Sequence, residues 1–225
     1  MQKFSSIRER AELRKGGKKA LVALLPLITS REELAQLSDD RYLSLMVKVV
    51  NQAGFNWSVI EKKWPQFEEA FFDFNTEKLS RLSIEQWEAY TKDVRVVRNW
   101  QKIKATMMNV GFVRQVSAEY GSFGKFIADW PQDDQVGLMN YMKKHGSRLG
   151  GQSAQWFMRY VGKDSYVTTP DMIQAIRNSG VEIAENPSSQ RDFKKIQDTM
   201  NRWRQESGLP YTHLSKIAAF SIGEL

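Results

Sequence analysis

Residues 143–154 read KKHGSRLGGQSA, and the way this stretch folds decides how the rest of the chain is read. Gly146, Gly150 and Gly151 stand within six residues of one another. Apolar residues at helical spacing lie on both sides, VGLMNYM before and AQWFMRYV after. A plain helix-to-helix connection needs one glycine, as a C-cap. Several glycines indicate that the backbone itself comes close to something. The pattern therefore predicts two helices joined by a glycine turn over residues 136–161. Such a turn offers bare backbone N–H groups beside a helix N-terminus, where phosphate oxygens find both donors and a positive dipole. Lys144 and Arg148 add charge, and Ser153 adds a hydroxyl. The competing reading is a tight helix corner with ordinary caps.

Outward from the turn, start and stop signals predict helices almost throughout, roughly ten of them, with no pair of alternating β-branched runs joined by a hairpin signal. Ser30 with Glu33 and Ser83 with Gln86 form capping boxes. Ser38 opens a helix that stops at Gly54. NWSVIEKKW then reads as one helix, and Pro65 as the start of another. GVEIAENPSS, near residues 180–189, is the clearest late linker. The class is all-α. Residues 1–30 are expected to form a basic arm or helix, and residues 31–225 the main domain, with the hairpin at 136–161.

Composition limits the function. The chain has 225 residues and 12% aromatics, enough for a sizeable core. It has no cysteine and two histidines, which argues against a structural zinc site. No apolar run is long enough for a membrane span. The net charge is +7, but seven Lys/Arg against Glu9 and Glu12 place +5 of it in the first twenty residues. Nucleic-acid binding must therefore rest on local clusters rather than on bulk charge.

Two further stretches extend the pattern, and the hairpin itself adds a third feature. VVNQAGFNWSVIEKKWPQFEEAFFDFNTEKL (49–79) is similar to a Gln-Ala-Gly-aliphatic-Ser-Trp element followed by a basic helix end and an aromatic helix with Phe-Asp. VVRNWQKIKA (96–105) resembles Ile-Ile-Arg-Asn/His-x-x-Lys-Ile. In the hairpin, Gly146 and Gly151 keep a five-residue step. Together, over about residues 38–162, these features resemble the DNA-3-methyladenine glycosylase I family, within the helix-hairpin-helix superfamily of base-excision DNA glycosylases. The resemblance implies an all-α fold of two helical lobes around a cleft. It implies an enzyme that hydrolyses the N-glycosidic bond of alkylated, 3-methyladenine-like purines in double-stranded DNA.

The same resemblance assigns roles. Gly146, Gly150, Gly151 and Ser153, with Lys144 and Arg148, would anchor the DNA backbone. Gly54 and Phe55 would form the wedge that fills the gap left by a flipped base. Gln52, with Asn51 and Asn56, would either contact the opposite strand or cap local helices. Trp57 would face a cationic base, or pack in the core. Val49 stands where the family has its base-recognising glutamate, and Tyr160, Tyr42 and Trp156 are aromatic candidates for the pocket wall. Arg98 and Lys102, four apart on one helix face, would buttress the fold or touch backbone. The catalytic carboxylate lies twenty residues after the last hairpin glycine, which points to Asp171, with Asp164 as the runner-up. The family's bifunctional relatives carry a lysine where this chain has Ser153, so a monofunctional hydrolase is expected. No metal or organic cofactor is implied. The expected partner is damaged double-stranded DNA, met by a monomer in the cytoplasm and nucleoid. Val49, the missing N-terminal tyrosine segment and the missing zinc ligands leave a second reading open: a catalytically inactive helix-hairpin-helix protein that binds damaged or abasic DNA.

Overall fold

The computed structural model describes residues 2–223 of the chain. Fourteen α-helices and a short 3-10 turn, Phe72–Phe74, make up its regular structure, with no strand among the described residues. In chain order the helices are α1 (Phe4–Arg14), α2 (Lys18–Ala23), α3 (Arg31–Gln36), α4 (Asp39–Gln52), α5 (Trp57–Ala70), α6 (Thr76–Ser80), α7 (Ile84–Ala89), α8 (Trp100–Tyr120), α9 (Phe123–Asp129), α10 (Gln135–His145), α11 (Gln152–Val161), α12 (Pro170–Asn178), α13 (Gln190–Ser207) and α14 (Tyr211–Phe220). The count exceeds the ten expected because several are only five to seven residues long, too short to show a period.

Local chemistry starts and stops these helices. Ser30–Glu33 and Ser83–Gln86 form complete capping boxes at α3 and α7. Asn99 caps α8, and Gly121 ends it in the left-handed conformation. Thr169 caps α12, with Pro170 as its first residue. One expectation fails. Pro65 does not begin a helix but sits inside α5. Ile60, Trp64 and Phe67 bury one face on either side of it, while Glu61 and Pro65 are exposed, so the carbonyl that loses its partner can be hydrated.

By their contacts the helices group into two units. The first takes in the chain up to Ile28, Pro131–Leu138 and the chain from Asp164 onward. Its core joins Phe4, Ile7, Ala11 and Leu21 of α1 and α2 to Ile173, Ile176, Ile196, Trp203 and Leu214 of α12, α13 and α14. The basic N-terminal segment is thus a core element of this unit through Phe4, Ile7, Ala11 and Leu21, while its charged residues are exposed or half-buried and Leu13, Val22 and Leu27 remain exposed. The second unit is Thr29–Trp130 with Met139–Lys163. Here α4 packs against α8 and α11, and α3 against α9. Trp64, Phe67, Phe71, Phe74, Trp87 and Tyr90 form a continuous aromatic layer at centroid separations of 4.7–6.1 Å.

Candidate functional site

The hairpin between α10 and α11 is held from beneath by one side chain. Asn109, in the middle of α8, is 0% exposed. Its Oδ1 accepts from the Ser147 N–H at 2.7 Å, and its Nδ2 donates to the Ser147 carbonyl at 3.1 Å. Leu149 is fully buried and pins the other side of the tip. Arg148, between them, holds a positive φ of 58° without being glycine, and is exposed. Holding a side chain there costs strain, about 1 kcal/mol.

The three glycines serve different ends. A Cβ at Gly146 would lie 2.6 Å from Leu149 Cδ1 and 2.9 Å from the Met142 carbonyl. Its smallness is therefore needed for the hairpin's own packing, not for approach of a ligand, which corrects the expected reason. A Cβ at Gly150 would touch only the Lys143 side chain, at 3.5 Å. Gly151 differs: it is the N-cap of α11 with φ 57°, no side chain caps the helix, and a Cβ there would meet nothing within 4 Å. The helix therefore opens onto free space at its positive end, the geometry an anion requires. Lys143, Lys144 and His145 fill the last turn of α10, and Ser153 is half-buried in the first turn of α11.

The turn after α4 lies in the same unit. Gly54 has φ 74° with open space around it, and Phe55 is 45% exposed. Asn56 is exposed and caps α5 by accepting from the Ser58 N–H at 3.0 Å. Asn51 bonds back to the Val47 carbonyl. Gln52, expected to contact DNA, is instead 2% exposed and faces inward. Its Nε2 donates to Glu61 at 3.0 Å, and Glu61 also pairs with Lys48 at 2.7 Å. Its Oε1 is buried without a partner. A flip of the amide would set that oxygen against the Glu61 carboxylate, so the orientation is chemically fixed. Lys102 reaches the turn from α8. Its ammonium donates to the Asn51 and Ala53 carbonyls, each at 2.8 Å, and sits 4.2 Å over the Phe55 ring. Arg98, four residues earlier, stays exposed.

Beside the turn three rings meet. Trp57 is 41% exposed and stands edge-on to Trp156 at 5.1 Å, with Tyr160 6.5 Å away. Burial pushes the Tyr160 hydroxyl above its ordinary pKa, against a smaller opposite pull from a Gln52 hydrogen bond. Tyr42 does not join them. It is fully buried, its hydroxyl donating to the Leu34 carbonyl, and is a core residue. Val49 is likewise buried in α4 and lines no open surface.

The two candidate carboxylates, both in the first unit, differ in occupation. Asp164 accepts from the Thr212 N–H at 2.8 Å and lies 3.7 Å from Arg204, so it fastens the start of α14. Asp171 is the second residue of α12, exposed, past the Thr169 cap. Lys163 is buried and its Nζ donates to the Ile127 carbonyl at 2.7 Å, a structural use of the amine. Among the described residues no three His, Asp or Glu side chains gather as a metal site would require, and no helix is long and apolar enough to cross a membrane. Asn109 and Glu61 were not singled out from sequence. A signal for Asn109 existed, since an amide within an otherwise apolar helix face needs a buried partner.

Comparison with known proteins places this geometry. The sequence profile described as methyladenine glycosylase matches residues 34–149, just over half of the 225. The stretch includes the Gly54–Phe55 turn, Trp57, Lys102, Asn109 and the hairpin as far as Leu149. Among solved structures, 3-methyladenine DNA glycosylase I from Staphylococcus aureus is similar at 22% identity with a TM-score of 0.50, over 58% of this chain and 80% of that one. The Methanocaldococcus jannaschii 8-oxoguanine DNA glycosylase is similar over more of the chain, 94% against 91%, at 12% identity and a TM-score of 0.58. The 8-oxoguanine glycosylase/lyase of the same organism, in complex with 15mer DNA containing 8-oxoguanine, matches at 14% identity and a TM-score of 0.56 over 94% and 95%. At these identities the shared property is the helix-hairpin-helix glycosylase fold.

Proposed function

The chain belongs to the methyladenine glycosylase family, and on that premise we infer that it hydrolyses the N-glycosidic bond of alkylated purines in double-stranded DNA, acting as a monofunctional base-excision DNA glycosylase. The observation that carries the reading is the hairpin tip. A buried Asn109 orders it, and Gly151 leaves the start of α11 open to a phosphate. Lys144 and Arg148 add charge to that grip, which fixes register without reading sequence.

The remaining steps use groups of the same chain. Phe55, at the tip of a turn made by Gly54, fills the stack when the damaged nucleotide leaves it. The face of Trp57 receives a base whose ring carries delocalised positive charge. Asp171 steadies the oxocarbenium-like sugar as the C1′–N bond breaks and its electron pair leaves with the purine. Water then adds to C1′, its proton passing to the carboxylate. Ser153 in place of an amine, and Lys163 committed to backbone carbonyls, support hydrolysis without a Schiff base.

The test is base release from duplex DNA carrying alkylated purines. Free base is expected from the native protein and from Asp164→Asn. Asp171→Asn is expected to lower the rate at least about a hundredfold with DNA affinity kept, on the scale of losing a group that acts in the transition state. No release from any alkylated duplex, with tight binding to abasic-site DNA, would overturn the enzymatic reading.

A further inference from the structure

We propose that Lys102 is a positioning residue for base insertion: its ammonium fixes the Asn51–Phe55 turn and holds one face of Phe55, and so sets where that ring enters the base step. The proposal rests on the reading of Phe55 as the inserting residue. Three observations carry it. Lys102 is 5% exposed, yet among the described residues no carboxylate pairs with its charge. Among the described residues the ammonium is held by two carbonyls at 2.8 Å and by the Phe55 ring at 4.2 Å. A cation kept out of water on so few partners is costly, which points to a use beyond packing. The contacts also converge on one turn. They tie the last carbonyls of α4 and the wedge side chain to a single atom on α8, so Phe55 cannot swing without breaking a cation–π contact. A ring already oriented loses less freedom on entering the stack.

After burial, the charge that bears on Lys102 is that of Arg148 at the hairpin tip. The end of α4 contributes only carbonyls, and the turn contributes the ring. Burial, and then Arg148, lower the Lys102 pKa to about 8. A phosphate drawn to the tip would offset that repulsion and keep the lysine charged. The wedge is therefore at its most fixed when the hairpin is loaded. Above about pH 8 the free protein loses the cation that holds Phe55.

The sign of the pH effect separates positioning from plain structural support. The folded pKa lies below that of the unfolded chain. Between about 8 and the ordinary lysine value the unfolded state binds more protons, so this group makes stability rise with pH. Activity through the wedge should fall over the same range. The experiment compares the native protein with Phe55→Ala, Lys102→Met, Lys102→Arg and the double variant. Single-turnover base release is followed from pH 6.5 to 9.5, with undamaged-duplex affinity and melting alongside. Phe55→Ala and Lys102→Met should each lower release about tenfold, with the double variant no worse than either. Duplex affinity should hold, Lys102→Arg should recover part of the rate, and the alkaline fall in rate, which lies above pH 8 once DNA is bound, should vanish in Lys102→Met. Native release by Lys102→Met beside an impaired Phe55→Ala would overturn the role of Lys102 and leave the wedge standing. Additive losses accompanied by lower melting would also overturn it, as they would make the lysine structural. Native release by Phe55→Ala would overturn the wedge itself, and this inference with it.

Discussion

Asn109→Ala should unseat the hairpin from below. The native amide makes two hydrogen bonds to one residue, Ser147, at 2.7 and 3.1 Å, from a position with no solvent access. Each such bond contributes about 1 kcal/mol net. Truncation also strands the Ser147 N–H and carbonyl beside a small cavity. Ser147 is half-buried, so water recovers part of that cost. The sum is about 2–4 kcal/mol of local stability at the tip. If it were felt by the whole fold, melting would drop by roughly 5–15 °C for a chain of this size. The tip can also open alone, and then the loss appears in DNA affinity, since a loosened loop must be ordered again on binding. Asn109→Asp divides the two bonds: it keeps the acceptor for the N–H and sets an oxygen against the carbonyl. Urea unfolding and duplex binding at fixed salt are the assays. Both variants should lose stability, affinity or both, with Asp at least as harmful as Ala. A change below about 0.5 kcal/mol in each, for both variants, would refute the view that this amide organises the anchor.

Gly146→Ala should destabilise the fold by about 1–3 kcal/mol in denaturant titration, because its Cβ would overlap the buried Leu149 and a backbone carbonyl. An unchanged midpoint would mean that the tip repacks freely. Trp57→Ala should slow release of alkylated base at least about tenfold while melting stays nearly constant, since the ring is 41% exposed. A large loss of melting with unchanged release would make Trp57 a packing residue.

What sequence revealed was governed by distance along the chain. The capping boxes at Ser30 and Ser83 are decided within three residues, and both stand in the structure. The glycine turn was legible as a hairpin, but not the reason for each glycine. Gly146 answers to Leu149 and Met142, while only Gly151 opens outward. Pro65 misled because tertiary burial of Trp64 and Phe67 carries α5 through a residue that locally argues for a break. The inward turn of Gln52 and the span of Lys102 to the α4 end depend on partners 9 and about 50 residues away, which no local pattern encodes.

The packing of α1 and α2 carries a consequence for the newborn chain. Phe4, Ile7 and Leu21 leave the ribosome well before their neighbours Ile173, Met200, Trp203 and Leu214, which lie about 150 residues or more further along the chain. At ordinary elongation rates that gap is on the order of ten seconds. During it the opening helices must wait with their oily stripe uncovered, while residues 29–130 already hold most of what they need to collapse. Deleting the leading segment would therefore hollow out the interior completed last, with a yield loss rather than a clean truncation as the signature.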